Sequence, residues 1–157
     1  MVIDRTDRHI LQVLQKNGRM SNLELAEKTA LSPSPCLRRV KRLEDEGVIA
    51  SYAAHLNPDV LGLKLLAFIH ISLDRHTPER FENFENRVSD FEEVLECFLI
   101  TGQQADYLLK AIVPDMEHYQ QFLLGKLTRI EGVTGVHSSF VLRKVVQTTA
   151  LPLAHLE

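Results

Sequence analysis

The chain has 157 residues, of which 45% are apolar and 25% charged, a composition typical of a folded globular protein with one domain or two small ones. No apolar run approaches the roughly 20 residues of a membrane helix, and no signal-peptide core follows Met1, so we expect a cytoplasmic protein without membrane association. The two cysteines, Cys36 and Cys97, have no metal-ligand spacing, so neither a disulfide nor a zinc framework is supported.

The net charge of −3 is unevenly divided along the chain. Residues 1–57 carry 9 Lys and Arg against 7 Asp and Glu, whereas residues 58–157 carry 9 against 14. This division suits a polyanionic partner at the N-terminal end only. Because the excess is small, the positions of the basic residues say more than their sum.

The N-terminal residues have helical periodicity. Capping by Asp4 and an apolar stripe of Ile3, Ile10, Leu11 and Leu14 predict a first helix over 5–17, which Gly18 ends. Ser21 and Glu24 have the spacing of a capping box and predict a short second helix over 22–28.

A third helix is predicted between Ser32 and Gly47. Ser32 is a suitable N-cap, because its hydroxyl can accept a hydrogen bond from a first-turn N–H group. Pro33 and Pro35 occupy first-turn positions where a missing N–H group costs little. Cys36, Val40 and Leu43 recur at helical spacing and form an apolar face. A tight turn between the second helix and this basic third helix predicts a helix-turn-helix, completed by the first helix.

The basic face of the third helix suits DNA, because guanidinium groups match guanine edges and phosphate oxygens. We expect base-edge or first-turn contacts from Ser32, Ser34, Pro35 and Arg38. We expect phosphate contacts from Arg39, Lys41 and Arg42. The alternative is a solvated, salt-bridged helix face, since three acidic residues, Glu44, Asp45 and Glu46, follow directly.

The rest of the chain predicts an α+β domain. Residues 48–54 have strand character, and a strand isolated between domains is expected to pair with the same strand of a second chain. Strands over 65–73, 94–101, 107–113 and 133–146, with helices from Pro78 and from Asp115 to Gly132, follow in βαββαβ order. This order predicts a ferredoxin-like sandwich. The predicted domains are a three-helix (winged) helix-turn-helix over 1–50, a linker strand and turn over 51–62, and the ferredoxin-like domain over 63–157.

Three motifs resemble the leucine-responsive and asparagine-regulator (feast/famine) family of transcription regulators. They are the N-terminal motif IDRTDRHIL at 3–11, the recognition-helix motif LSPSPCLRRV at 31–40 and the turn motif DYLL at 106–109. The resemblance covers nearly the whole chain and is closest to the leucine-responsive branch. One departure is a turn with three residues between Gly102 and Asp106, where the family pattern has two.

The resemblance implies a sequence-specific regulator of double-stranded DNA that responds to an amino acid, namely leucine, methionine or another apolar one. It also implies homodimers that assemble into an octamer. The implied effector-binding residues are Thr101, Gly102, Gln103, Gln104, Asp106 and Tyr107. Asp106 would accept hydrogen bonds from the ligand's ammonium group and the turn's N–H groups would bind its carboxylate. The alternative role for Asp106 is closure of a β-turn.

Two other functions have to be weighed. Haem-pathway decarboxylases resemble this two-domain architecture, but such an enzyme would use basic and histidine side chains that line a tetrapyrrole cleft. Here the recognition-helix motif is intact, and the seven histidines are scattered. A bare amino-acid-binding assembly module would leave the basic third helix without a role. Cys36 is expected to pack in the core and not to act as a redox sensor. We therefore predict a regulator and no enzyme, with no metal and no cofactor other than the amino-acid effector.

Overall fold

The computed structural model describes residues 2–102 and 104–156. These residues divide into two compact units. The N-terminal unit combines the chain up to His55 with the tail from Val146 onward, and the second unit is Leu56–Val145. The predicted domain over 63–157 differs from this division in its last residues, because Leu153 of the tail packs against the core of the N-terminal helices.

The N-terminal unit contains three helices, α1 (Arg5–Leu14), α2 (Asn22–Lys28) and α3 (Pro33–Asp45). Capping boxes begin α1 at Asp4 and α2 at Ser21, where the sequence predicts a cap and a capping box, respectively. The helix α1 ends at Leu14, earlier than predicted. The three helices share one core, formed by Ile10, Leu11, Leu25, Ala26, Cys36 and Leu43. Cys36 is fully buried there, as the packing interpretation predicts.

The start of α3 differs from the prediction in one hydrogen bond. Ser32 occupies the N-cap position, but its side chain makes no capping hydrogen bond. A capping hydroxyl accepts from the N–H group two or three residues ahead, and the residue three positions ahead, Pro35, has none. The Ser32 side chain therefore lies exposed at the tip of α3.

The turn between α2 and α3 is a Schellman motif with alanine in the left-handed position. Ala30 has a φ angle of 53°. The Leu31 N–H group donates to Ala26 O at 2.9 Å, and the Ala30 N–H group donates to Glu27 O at 3.3 Å. The side-chain amide of Asn22 also donates to Pro33 O at 2.9 Å. The angle between the two helices is therefore held from both sides of the turn.

The linker segment 48–54, which has strand character in the sequence, pairs with no other strand among the described residues of the single chain. An extended segment with no neighbouring strand cannot form a ladder. Within its unit, the Tyr52 hydroxyl donates to Glu44 Oε1 at 2.8 Å and so attaches the segment to α3. Burial, followed by that contact with Glu44, raises the pKa of Tyr52 to about 12.

The second unit has the predicted βαββαβ order. Its elements are β1 (Leu65–Leu73), α4 (Pro78–Ser89), β2 (Val94–Leu99), β3 (Tyr107–Val113), α5 (Met116–Gly125), a 3-10 turn (Leu127–Arg129) and β4 (Val133–Phe140). The strands form one antiparallel sheet in the order β2-β3-β1-β4. The bounds of β1 and β3 match the prediction, whereas β4 ends at Phe140 and not at Val146.

The two faces of this sheet have different environments. Alternate residues such as Ile69 and Leu109 are fully buried against Phe84 of α4 and Phe122 of α5. The intervening residues point the other way, since successive side chains of a strand alternate between faces. We call that second face, with Phe68, His70, Phe98, Leu108, Lys110, Ile112 and His137, the open face.

The tail after β4 is attached to α1 by specific hydrogen bonds. The side-chain amide of Gln15 donates to Leu151 O at 3.2 Å and accepts from the Leu151 N–H group at 2.6 Å. The Arg8 guanidinium donates to Leu156 O at 2.6 Å. In the part of the chain that is described, no helix is both long and apolar enough to cross a membrane.

Candidate DNA-binding and effector sites

The helix α3 presents a polar and basic face away from the core. Ser32, Ser34, Arg38 and Lys41 are exposed, Pro35 is half-buried, and Cys36 and Leu43 are buried on the opposite side. The helical repeat places the apolar and basic residues on opposite faces, as the sequence predicts. The structure thus brings all the predicted DNA contacts onto one helix, but among the described residues some of these side chains are ion-paired and others are not.

Arg39 and Arg42 are ion-paired to the first helix. Arg39 Nη1 lies 2.8 Å from Asp7 Oδ1 and 2.6 Å from Asp4 Oδ2. Arg42 Nη2 lies 2.5 Å from Asp7 Oδ2, and the Asp7 side chain is fully buried. Hydrogen bonds from the Asp7 N–H group and from Arg39 hold the pKa of Asp4 below its usual value. These two arginines therefore have a structural role that the sequence did not predict.

Arg38 and Lys41 are the two basic residues among the predicted DNA contacts whose charges are not ion-paired within the described part of the chain. Both are exposed, and neither forms an ion pair with any residue that the structure describes. Their neighbours Arg39 and Arg42 expose 30% and 41% of their side chains, so part of each guanidinium also faces solvent. An exposed, unpaired cation can meet DNA without first breaking an internal contact.

The predicted effector turn is organised by Asp106. Its Oδ2 atom accepts from the Leu73 N–H group at 2.7 Å, and its Oδ1 atom lies 2.7 Å from His76 Nε2. Its own N–H group donates to Ile71 O at 2.8 Å. Asp106 is thus attached to the end of β1 and to the loop that follows it, and both carboxylate oxygens have a partner. His76, which the sequence did not single out, stacks on Phe81 with ring centroids 6.0 Å apart.

The remaining turn residues have different environments. Thr101 and Gly102 are exposed, and Gly102 has a φ angle of 85°, which favours glycine. Gln104 O accepts from the Ser72 hydroxyl at 3.1 Å. Gln103 lies outside the described residues. Gln104 therefore lies beside the end of β1, whereas Thr101 and Gly102 precede it in the same turn.

Tyr107, a predicted effector contact, is the first residue of β3. Its side chain is 1% exposed, because it points into the core between the sheet and α4. Its hydroxyl donates to Glu85 Oε1 at 2.7 Å, and burial, followed by this contact, raises its pKa. In the single chain, a ligand at the turn would have no access to this side chain. The alternation of β3 explains this burial, since Tyr107 is on the helix-facing side with Leu109.

Among the described residues, no group of three or more His, Cys, Asp and Glu side chains is arranged to hold a metal ion. Cys36 belongs to the N-terminal unit and Cys97 to β2 of the second unit, and burial raises the pKa of Cys97 to about 11. A thiol with a raised pKa is a poor nucleophile at neutral pH.

A basic helix-turn-helix unit followed by an α+β unit with a four-stranded sheet defines a two-domain DNA-binding transcription regulator. Residues 3–50 match the family model for winged helix-turn-helix DNA-binding domains, and residues 66–151 match the model for the Lrp/AsnC ligand binding domain. The chain belongs to the Lrp/AsnC family of transcriptional regulators.

Individual relatives agree with this assignment. The leucine-responsive regulatory proteins of Klebsiella pneumoniae and Escherichia coli K12 are 47% identical over 149 residues, which cover 95% of this chain and 90% of theirs. The crystal structure of a Neisseria meningitidis transcriptional regulator in complex with L-Met is 49% identical, with a TM-score of 0.96, and covers 99% of this chain and 100% of that one. E. coli AsnC is 26% identical with a TM-score of 0.86, over 95% and 98% of the two chains. The comparisons give no support to the decarboxylase alternative.

Proposed function

We propose that this regulator reads operator DNA chiefly through Arg38 and Lys41 of α3, and that its second unit binds methionine, leucine or another apolar amino acid. Ser32, Ser34 and Pro35 complete the proposed base-edge and first-turn contacts. Arg39 and Arg42 contact phosphate with whatever donors the Asp7 pairs leave free. The observation that carries the proposal is the exposure of two cations without ion pairs among the described residues, on the helix that the fold presents for DNA.

The two cations have different proposed roles. Arg38 lies in the N-terminal half of α3, which usually meets base edges, and its guanidinium can contact guanine O6 and N7 together. Lys41 lies one turn further along, and a lysine ammonium contacts phosphate as a point charge. Phosphate contacts position the protein on the duplex and do not distinguish one base pair from another.

Salt-dependent binding separates these roles. We expect Arg38→Ala to weaken binding to a selected operator by about 1–3 kcal/mol and to relax sequence preference. Lys41→Ala should weaken binding to all duplexes similarly. It should also reduce the slope of the logarithm of the binding constant against the logarithm of the salt concentration by about 1. Arg143→Ala, an exposed cation of the second unit, is the control. Unchanged binding in both α3 variants would contradict the proposal.

The effector proposal is supported by the matched ligand-binding family and by the relative that was crystallised with L-Met. In this chain the turn N–H groups near Gly102 would bind the carboxylate, and Asp106 would accept from the ammonium group. The turn is one residue longer than the family pattern, so the preferred amino acid has to be identified by experiment. A thermal-shift panel of the twenty amino acids on the full chain tests it, and stabilisation by none of them would end the effector proposal.

The open face supports a further proposal, that the protein is a homodimer which assembles into the octamer implied by the family resemblance. Phe98 is 48% exposed, and Phe68 and Leu108 are half-buried on the same face. A sheet face on which large apolar side chains remain exposed is commonly buried by a second copy. Linker pairing between copies would likewise satisfy the unpaired segment 48–54.

Sizing of a charged variant tests the assembly. Phe68→Asp places a carboxylate on the open face and should shift the mass measured by light scattering toward the monomer. Leu142→Asp, a change at a 99% exposed position of the same unit, is the control and should leave the mass unchanged. A Phe68→Asp variant with wild-type mass and circular dichroism would contradict the proposed interface.

Ligand binding would then act by linkage. A ligand that favours one arrangement of dimers over another changes the spacing or number of paired α3 helices on DNA. By linkage, DNA with the matching spacing raises the affinity for the ligand by the same factor. We place the protein in the cytoplasm, because a bacterial regulator must reach DNA there.

A further inference from the structure

The helix α3 carries a large apolar side chain where it has no core contact. Leu37 is 57% exposed, whereas the core side of the same helix is formed by the buried Cys36 and Leu43. Leu37 is also absent from the residues that pack against that core. A single exposed leucine is common on protein surfaces, so its meaning depends on its position.

Leu37 lies within the polar face of α3. It is three residues after Ser34 and four before Lys41, and Arg38 follows it directly. Residues three and four apart are neighbours on a helix surface, so these side chains form one continuous stripe. All four are exposed. The stripe therefore combines a hydroxyl, two cations and one branched apolar group within the first nine residues of the helix.

The major groove contains one apolar group that such a side chain can recognise. Thymine carries a C5-methyl group there, and cytosine, adenine and guanine do not. We propose that Leu37 is a specificity-determining residue that contacts a thymine methyl group of the operator. The inference rests on the proposed DNA-binding role of α3. It adds recognition of thymine, through its methyl group, to the contacts proposed for the basic residues. Leu37 is the fifth residue of α3, in the half that usually enters the groove.

The expected effect is that of burying one methyl group. Removing a methyl group from an apolar contact changes a binding constant by about fourfold. Replacement of thymine by deoxyuridine removes only this methyl group and leaves base pairing and the phosphate charges intact. A polar contact from Ser34 or Arg38 would not respond to this change.

The test is a deoxyuridine scan of an operator obtained by in vitro selection with the full-length protein. Each thymine is replaced singly, and dissociation constants are measured by fluorescence anisotropy for the wild type, for Leu37→Ala and for Leu23→Ala. Leu23 is the matched control, since it is a 63% exposed leucine of the same unit but lies on α2. Thermal unfolding verifies that each variant is folded.

We expect the wild type and Leu23→Ala to lose about fourfold in affinity at one or two deoxyuridine positions in each half-site. Leu37→Ala should bind the unmodified operator more weakly and lose this sensitivity at the same positions. Leu37→Ala with a scan identical to that of the wild type would overturn the assignment of Leu37 and leave the DNA-binding role intact. Failure of the wild type to select any duplex would overturn that role and the assignment with it.

Discussion

Arg42 Nη2 donates to Asp7 Oδ2 over 2.5 Å and thereby joins α3 to a fully buried carboxylate on α1. Arg39 Nη1 meets the other oxygen of the same carboxylate at 2.8 Å. The Asp7 carboxylate is therefore neutralised by two cations whose own side chains remain partly in solvent. The orientation of α3 on the rest of the N-terminal unit depends on this contact.

Removal of the Asp7 charge should destabilise the N-terminal unit. Asp7→Ala leaves Arg39 and Arg42 without their buried partner, and loss of one member of a buried ion pair costs on the order of 3 kcal/mol. We expect a lower urea midpoint with an unchanged m-value. Asp45→Ala, at an exposed position of α3, is the control and should fall within about 0.5 kcal/mol of the wild type. Equal midpoints for Asp7→Ala and Asp45→Ala would contradict the structural role of Asp7.

The acid sensitivity of the N-terminal unit should depend in part on Asp4. The Asp7 N–H group and the Arg39 guanidinium lower the pKa of Asp4 from its usual 3.8. The charged form therefore stabilises the folded state, and this contribution is complete above the unfolded pKa and is lost as pH falls through the lowered folded pKa. Asp4→Asn keeps a capping group without the charge, so urea midpoints along an acid titration should fall less steeply. Identical slopes for the variant and the wild type would contradict this assignment.

Ala30→Gly should stabilise the protein. Ala30 has a φ angle of 53° at the Schellman turn, and its side chain is exposed. Left-handed backbone costs a residue with a Cβ atom roughly 1 kcal/mol, and the entropy of glycine offsets part of the gain. We expect a net gain of about 0.5 kcal/mol in thermal or urea unfolding. The matched change Ala50→Gly, at an exposed alanine without positive φ, should give no gain.

Replacement of Asp106 and replacement of His76 should have opposite effects on the affinity for the amino acid. Asp106→Ala removes the acceptor of the Leu73 N–H group and the proposed acceptor of the ligand's ammonium group. It should lower thermal stability by about 1–3 kcal/mol and abolish the amino-acid response. His76→Ala frees Asp106 Oδ1 from its present partner, so the ligand should bind about fivefold more tightly, the equivalent of one hydrogen bond.

Isothermal titration with the amino acid found by the thermal-shift panel measures both effects. Asp90→Ala, an exposed carboxyl at the end of α4, is the control for charge. An Asp106→Ala variant that binds as the wild type does would show that this carboxylate only closes the turn. Weaker binding by His76→Ala would place His76 among the ligand contacts.

The local elements of the fold could be predicted because local chemistry specifies them. Ser21 and Glu24 form the predicted capping box within four residues of chain, and α2 has the predicted bounds. The strands β1 and β3 have the predicted bounds too, with burial that alternates from Ala67 onward in β1 and throughout β3. The order of these elements predicted the ferredoxin-like sheet, and three motifs in register, at 3–11, 31–40 and 106–109, predicted the family.

The tertiary structure decided how particular side chains are used. Asp7 and Arg42 are 35 residues apart, and no local pattern predicts that a buried carboxylate would neutralise a predicted DNA contact. Asp106 and Leu73 are 33 residues apart and meet only because β1 and β3 are neighbours in the sheet. Likewise, the helix-covered face of the sheet buries the side chain of Tyr107, whereas Phe98 on the open face is exposed. Periodicity places a residue on a face, but the packing of distant elements decides whether that face is free to bind.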